Sequence, residues 1–311
     1  MSAIPGVIST QALTKAYPAV RALDGLTMAI PRGVVGLVGA NGAGKSTLIK
    51  ILLGLIPATS GTAEVLGHDV SVDGEAIRAK VGYSPEHDCL PTDVSATEFV
   101  VHMARMSGLP ATAARERAAD VLRHVGLYEE RYRPIGGYST GMKQKVKLAQ
   151  ALAHDPKLLL LDEPTNGLDP AGREEMLGLV RRIGTDFGID VVVTSHLLGE
   201  LERISDHIVV VEAGRLTHSG ATQDATAASG VLAIEVTDRD AELLAMLTAA
   251  GVRAWQAGPL LIDVELTDEA ALDVVRDGVC QLGVGLVRMQ RRRHHLTEIF
   301  RAPAAQESMP R

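Results

Sequence analysis

Gly39-Ala40-Asn41-Gly42-Ala43-Gly44-Lys45-Ser46-Thr47 is the stretch that decides how this chain reads. It fits G-x-x-x-x-G-K-[ST]. It follows the apolar run Val34–Val38 and opens a helical pattern over Thr47–Leu53, which is the strand–loop–helix setting the pattern needs. Its glycines let the backbone turn so that successive N–H groups converge on phosphate oxygens. The start of the following helix adds partial positive charge. Lys45 is placed to reach β- and γ-phosphates, and Ser46 to hold Mg²⁺. All nine residues are therefore candidate nucleotide contacts.

Working outward, other apolar runs recur at Leu158–Leu161, Val191–Thr194 and Ile208–Glu212. Short runs without alternation suit strands covered on both faces, hence a parallel sheet with helices outside. Between Leu90 and Ala153 the pattern turns helical, with helices expected over Thr97–Met106, Ala111–Val125 and Met142–His154. This reads as an α-helical insertion in the sheet domain. Leu158-Leu-Leu-Leu-Asp162-Glu163 sets two acids at the end of a buried strand, where ligands of parallel sheets bind. Asp162 suits the Mg²⁺ shell through water, and Glu163 suits polarisation of an attacking water.

Composition bounds the alternatives. The chain has 311 residues, 46% hydrophobic and 22% charged, near globular averages. That length predicts two domains. Net charge is −7, which argues against a nucleic-acid partner. Cys89 and Cys280 are the two cysteines and lack CxxC spacing, so neither a disulfide framework nor a zinc site is expected. No leader-like start and no apolar run near 20 residues is visible, so any membrane role is expected through a partner. The small, polar stretch Ser219–Gly230 reads as a linker. After it, strands are expected over Val231–Thr237, Arg253–Gln256, Leu260–Leu266 and Gly285–Gln290. Helices are expected over Asp240–Ala250, Asp268–Leu282 and Leu296–Arg301. That βαββαβ order suits a ferredoxin-like unit.

With these features in order, the chain resembles an ATP-binding-cassette (ABC) ATPase subunit across residues 5–220. Tyr17 sits where the family stacks an aromatic on adenine. Tyr138-Ser139-Thr140-Gly141-Met142 resembles the signature motif. Asp162-Glu163 resembles the Walker B end, Gly167-Leu168-Asp169 the D-loop, and Ser195-His196 the switch histidine. The resemblance implies a P-loop NTPase core with a parallel sheet, an antiparallel β edge and a helical subdomain at about 88–155. Residues 1–220 would form the nucleotide-binding domain and 221–311 a small α+β accessory domain. It implies ATP and Mg²⁺ as ligands, with Lys45, Glu163 and His196 catalytic and Ser46, Asp162 and Glu86 at the metal. Ser139 and Gly141 would face ATP bound by a second subunit, and Asp169 would be a further ATP-binding residue. Two cassettes would close head to tail on ATP, peripheral to the cytoplasmic face of a membrane, on a separate transmembrane permease.

Two departures stand out. The signature reads STGM in place of the commoner SGGQ, which resembles exporters of drugs, antibiotics or lipids. The helix after it, Lys143-Gln-Lys-Val-Lys147, reads as a solvated basic face. Tyr83-Ser-Pro-Glu86 places a glutamate where the family usually has glutamine, adding negative charge beside the γ-phosphate. Slower or more Mg²⁺-dependent hydrolysis is expected from that charge. Export of a small hydrophobic or amphipathic molecule is the favoured reading. An importer subunit and a soluble, non-transport ATPase of the same family are the alternatives. Arg291-Arg-Arg-His-His295 reads as a solvated strand end, with contact to anionic lipid or a partner as the rival reading.

Overall fold

The computed structural model describes residues 6–222, 228–266 and 270–293. Three sheets organise them. The chain enters as two antiparallel strands, β1 (Ile8–Ala16) and β2 (Arg21–Ile30), then β3 (Val34–Val38) and α1 (Lys45–Leu52). Next come β4 (Ser60–Val65), β5 (His68–Asp69), α2 (Gly74–Arg78) and β6 (Val81–Ser84). Three helices follow: α3 (Ala96–Met106), α4 (Ala111–His124) and α5 (Thr140–Leu152). The chain then returns through β7 (Leu158–Leu161), α6 (Pro170–Asp186), β8 (Asp190–Ser195), α7 (Leu198–Ile204), β9 (His207–Glu212) and β10 (Arg215–Ala221).

The central sheet runs β10-β9-β3-β8-β7-β6. Five of its strands, β9, β3, β8, β7 and β6, are parallel, and β10 closes one edge antiparallel to β9. The expected apolar runs are these strands. Every residue of β3 and β7 is buried, which explains why neither alternates. A second, antiparallel sheet runs β2-β1-β4-β5, and a shared core packs Leu13, Leu26, Val35, Leu48 and Leu160 together. The parallel order brings the carboxyl ends of β3, β7 and β8 to one edge, and the ends of these strands carry Gly39, Asp162-Glu163 and His196.

The three inserted helices lie close to their expected positions, with one shift. α5 starts at Thr140, two residues early, because the Ser139 hydroxyl accepts the Met142 N–H at 3.2 Å and caps it. The solvated reading of its basic run is overturned in part. Gln144 is 7% and Lys147 3% exposed, because α5 packs that face on β6. A Cβ added at Gly82 would stand 2.1 Å from the Ala151 carbonyl oxygen.

Contacts divide the chain into units of residues 1–222 and 223–311. The linker reading is corrected at both ends. Ser219, Gly220 and Ala221 pair with Val209, Ile208 and His207, since backbone pairing on an edge strand needs no apolar side chain. Ala228 already pairs with Arg293. The second unit contains β11 (Ala228–Val236), α8 (Asp240–Ala249), β12 (Ala254–Gly258), β13 (Leu261–Glu265), α9 (Ala270–Leu282) and β14 (Leu286–Arg293). Its antiparallel sheet runs β12-β13-β11-β14, the strand order of a ferredoxin-like fold. Leu232, Ile234, Leu243, Leu247, Ile262 and Val275 form its core. The expected helix Leu296–Arg301 and His294-His295 lie outside the described residues.

Candidate active site

The loop Gly39–Gly44 leaves β3 and enters α1 through left-handed backbone at Gly42 (φ +83°) and Gly44 (φ +103°). A side chain at Gly44 is also blocked, since its Cβ would lie 2.4 Å from the Ala22 carbonyl oxygen. At Gly42 the space is open, so there the glycine serves the turn alone. Lys45, in the first turn of α1, is 6% exposed. Its ammonium donates to the Gly39 carbonyl at 2.6 Å and stands 3.3 Å from Glu163 Oε1.

Glu163 is the most constrained residue here. It is 5% exposed and its φ of +48° is left-handed, a conformation a non-glycine residue holds only when its surroundings fix it. One carboxylate oxygen lies 2.9 Å from His196 Nδ1. The other faces Lys45 off hydrogen-bond geometry and has no hydrogen-bond partner. Its N–H donates to Thr194 Oγ1 at 2.9 Å, and that hydroxyl donates to Asp162 Oδ1 at 2.8 Å. Thr194, fully buried, therefore aligns both acids. It was missed in the sequence because it reads as one more β-branched strand residue.

Tyr17, Ala40 through Thr47, Glu86 and Glu163 line one cavity of about 430 Å³, within the range of small-molecule sites. Tyr17 stands at the hairpin between β1 and β2, 42% exposed, with Lys15 over its ring at 5.2 Å. Ser139, Gly141 and Asp169 do not line this cavity. Ser139 caps α5, and Asp169 caps α6 by accepting the Gly172 N–H at 3.0 Å.

Glu86 sits where the chain leaves β6. Its carboxylate accepts from Asn166 Nδ2 at 3.2 Å. Asn166 in turn accepts at its carbonyl from Gln144 Nε2 at 3.2 Å. Lys147 donates to the carbonyls of Pro85 at 2.7 Å and Glu86 at 2.9 Å. Burial pushes the Lys147 ammonium down from the usual lysine range. Burial first, then the charges of Asp162, Cys89 and Glu86, push the Tyr83 hydroxyl up to about 12. Asn166 carries no signal in the sequence, and Lys147 reads there as part of a solvated basic run, because each makes its contact across many residues of intervening chain.

The ABC transporter family model matches residues 23–166. The daunorubicin/doxorubicin resistance ATP-binding protein DrrA of Streptomyces peucetius is 36% identical over 236 residues, covering 76% of this chain and 71% of that protein. The chain belongs to the ABC transporter family. It is an ATPase of that family, with the mixed α/β cassette fold expected from its motifs. A daunorubicin resistance ATP-binding protein of Streptomyces coeruleorubidus is 35% identical over 300 residues, 94% of each chain, so that likeness extends through both units. Among solved structures, CbiO1 from Clostridium perfringens, part of the CbiONQ ABC transporter complex, superposes with a TM-score of 0.65. It is 28% identical, covering 71% of this chain and 90% of that one.

Proposed function

We propose that this chain powers export of a small hydrophobic or amphipathic molecule through a separate membrane permease. The observation that carries the export reading is the likeness to a resistance ATP-binding protein across both units. No described helix is long and apolar enough to cross a membrane, and the chain works as a peripheral subunit docked on the permease at the cytoplasmic side.

The geometry of the site supports the following hydrolytic roles. Backbone N–H groups of Gly39–Gly44, the start of α1 and the Lys45 ammonium bind the triphosphate. Tyr17 stacks on the base. Glu163 orients the attacking water and receives its proton, and His196, 2.9 Å away, holds that carboxylate in place. The γ-phosphoryl group passes to the water oxygen and ADP leaves. The donor chemistry fits Mg²⁺. Ser46 and Glu86 line the triphosphate cavity with oxygen donors and Asp162 is buried next to Glu163, and Mg²⁺ typically takes one or two protein oxygens together with phosphates and water. Ser46 would hold it directly, Asp162 through water, with Glu86 beside them, and the ion would neutralise charge on the phosphates.

Ser139, Gly141 and Asp169 lie outside their own chain's cavity. A second copy presenting its capped α5 N-terminus would bring them to the γ-phosphate. Light scattering of Glu163→Gln after size exclusion tests this pairing. ATP with Mg²⁺ is expected to convert monomer to dimer, and a monomer that still binds ATP refutes self-pairing. Export is tested by coexpressing the chain with its permease and following accumulation of an amphipathic dye. Lower accumulation that Glu163→Gln abolishes is expected, and unchanged accumulation across a panel of dyes refutes export.

A further inference from the structure

Three lysines follow the signature on α5, and they behave differently. Lys143 faces Asp88 at 3.4 Å and Lys145 faces Glu175 at 2.7 Å, both toward exposed carboxylates. Lys147 turns inward. Its bonds go to two carbonyls, of Pro85 and Glu86. Burying an ammonium on carbonyls alone is costly unless opposite charge stands near. The groups around it that favour its charge are, in order, the Cys89 thiol, Asp88, Glu86 and Asp162. Asp88 already faces Lys143, and Asp162 is bonded to Thr194. Glu86 is the one whose main chain Lys147 holds.

Gln144, one turn earlier on the same buried face, completes the arrangement. It holds the Asn166 carbonyl, and the Asn166 amide holds the Glu86 carboxylate. The helix therefore grips Glu86 twice: at its backbone directly, and at its side chain through Asn166.

We propose that Lys147 is a positioning residue for Glu86, fixing the backbone of its loop and supplying the positive charge that offsets a carboxylate at the triphosphate cavity. This rests on the reading that Glu86 stands beside the bound phosphates. Without Lys147, Glu86 repels the triphosphate more strongly and its loop loses two hydrogen bonds. The two contributions separate. The backbone tie belongs to the donor, whereas the charge offset exists only while residue 86 is acidic.

The test uses the full chain as wild type, Lys147→Met, Glu86→Gln and the double variant. Hydrogen exchange without nucleotide reads the tie. Amides of residues 86–92 are expected to exchange about five-fold faster or more in Lys147→Met and in the double variant, but not in Glu86→Gln. Steady-state kinetics read the charge. KM for Mg-ATP is expected to rise about five-fold in Lys147→Met, more than kcat falls, and to return most of the way in the double variant. Unchanged exchange in Lys147→Met, or KM effects that simply add, overturns the proposal. Should Lys147→Met not fold, Lys147→Gln keeps a donor without charge. Exchange near wild type, a raised KM and its recovery by Glu86→Gln are then expected, and no recovery overturns the charge role. Wild-type protein that neither binds nor hydrolyses ATP would sink the underlying reading instead, while leaving the exchange result standing.

Discussion

Thr194→Val is the sharpest probe of the hydrolytic centre. Valine keeps the shape of a fully buried side chain and removes one hydroxyl. That hydroxyl accepts the Glu163 N–H at 2.9 Å and donates to Asp162 Oδ1 at 2.8 Å. Its loss leaves a buried amide and a buried carboxylate oxygen without these partners, at about 1–3 kcal/mol each. The added methyl returns about 1 kcal/mol of apolar burial. The net destabilisation expected is about 1–5 kcal/mol. Catalysis should suffer separately. Glu163 holds its φ of +48° against a strain of about 1–3 kcal/mol, and the Thr194 bond is the only one its N–H makes among the described residues. Released, the residue relaxes, and displacing a catalytic group by about 1 Å can cost about a hundred-fold in rate. Urea unfolding followed by circular dichroism gives the stability, and a coupled assay gives ATP turnover. A kcat at least about ten-fold lower with KM nearly unchanged is expected, since the phosphate loop is untouched. Thr194→Ser, which keeps the hydroxyl, should stay within about 1 kcal/mol of wild type. If the valine variant loses under about 0.5 kcal/mol and keeps its kcat, the hydroxyl bridge does not hold the acids.

Tyr17→Ala should raise KM for ATP about five-fold or more, because base stacking contributes about 1–3 kcal/mol, whereas Tyr17→Phe should be near neutral. Gly82→Ala should destabilise by about 1–3 kcal/mol or more by thermal melting, since its Cβ meets the Ala151 backbone oxygen. Ser95→Ala removes the capping box of α3, in which Ser95 accepts the Glu98 N–H and the Glu98 carboxylate accepts the Ser95 N–H and hydroxyl. A loss of about 1 kcal/mol is expected from the serine. Those two bonds, the backbone one first, hold the Glu98 carboxyl below its usual range. Its contribution is therefore present above the ordinary glutamate range and is lost as pH falls through the lowered value. Melting curves of Ser95→Ala should show a smaller fall in that acid window, and an identical pH profile would count against the capping box.

Much of the cassette is legible in the chain because its signals are local. The nine residues from Gly39 to Thr47 are contiguous, and the loop they encode needs only its own glycines and the helix it opens. Asp162 and Glu163 are readable because Leu158–Leu161 has no polar position, which marks a strand buried on both faces. Contacts across the sequence leave no such trace. Thr194 meets Glu163 across 31 residues and Lys147 meets Pro85 across 62. A lysine in a run of lysines reads as solvated until the facing strand is known. Here Gly82, which lets α5 approach β6, is the residue that decides it. The polar stretch after Ser219 misled for a related reason, because a strand that pairs through its backbone on an edge needs no apolar side chains.

On the proposed head-to-tail pairing, the same contacts would let one helix serve two sites. α5 is seated on β6 through Gly82, tied to the Glu86 loop by Lys147, and tied to Asn166 by Gln144. All three ties lie on the buried side, and all three reach segments next to Asp162, Glu163 or Glu86. Ser139 caps the free end eight positions from Lys147, about 12 Å along the axis. A tilt of about 5° about Lys147 displaces that end by about 1 Å on such a lever. Positioning at phosphoryl transfer is sensitive on that scale. A change of charge at Glu86 therefore acts on its own cavity, whereas a change in how α5 sits on β6 would act on the Ser139 end through geometry. The two effects part experimentally: loss of the Lys147 charge should appear in KM, whereas loosening of the Gly82 contact should appear in the closing of the ATP-bound dimer.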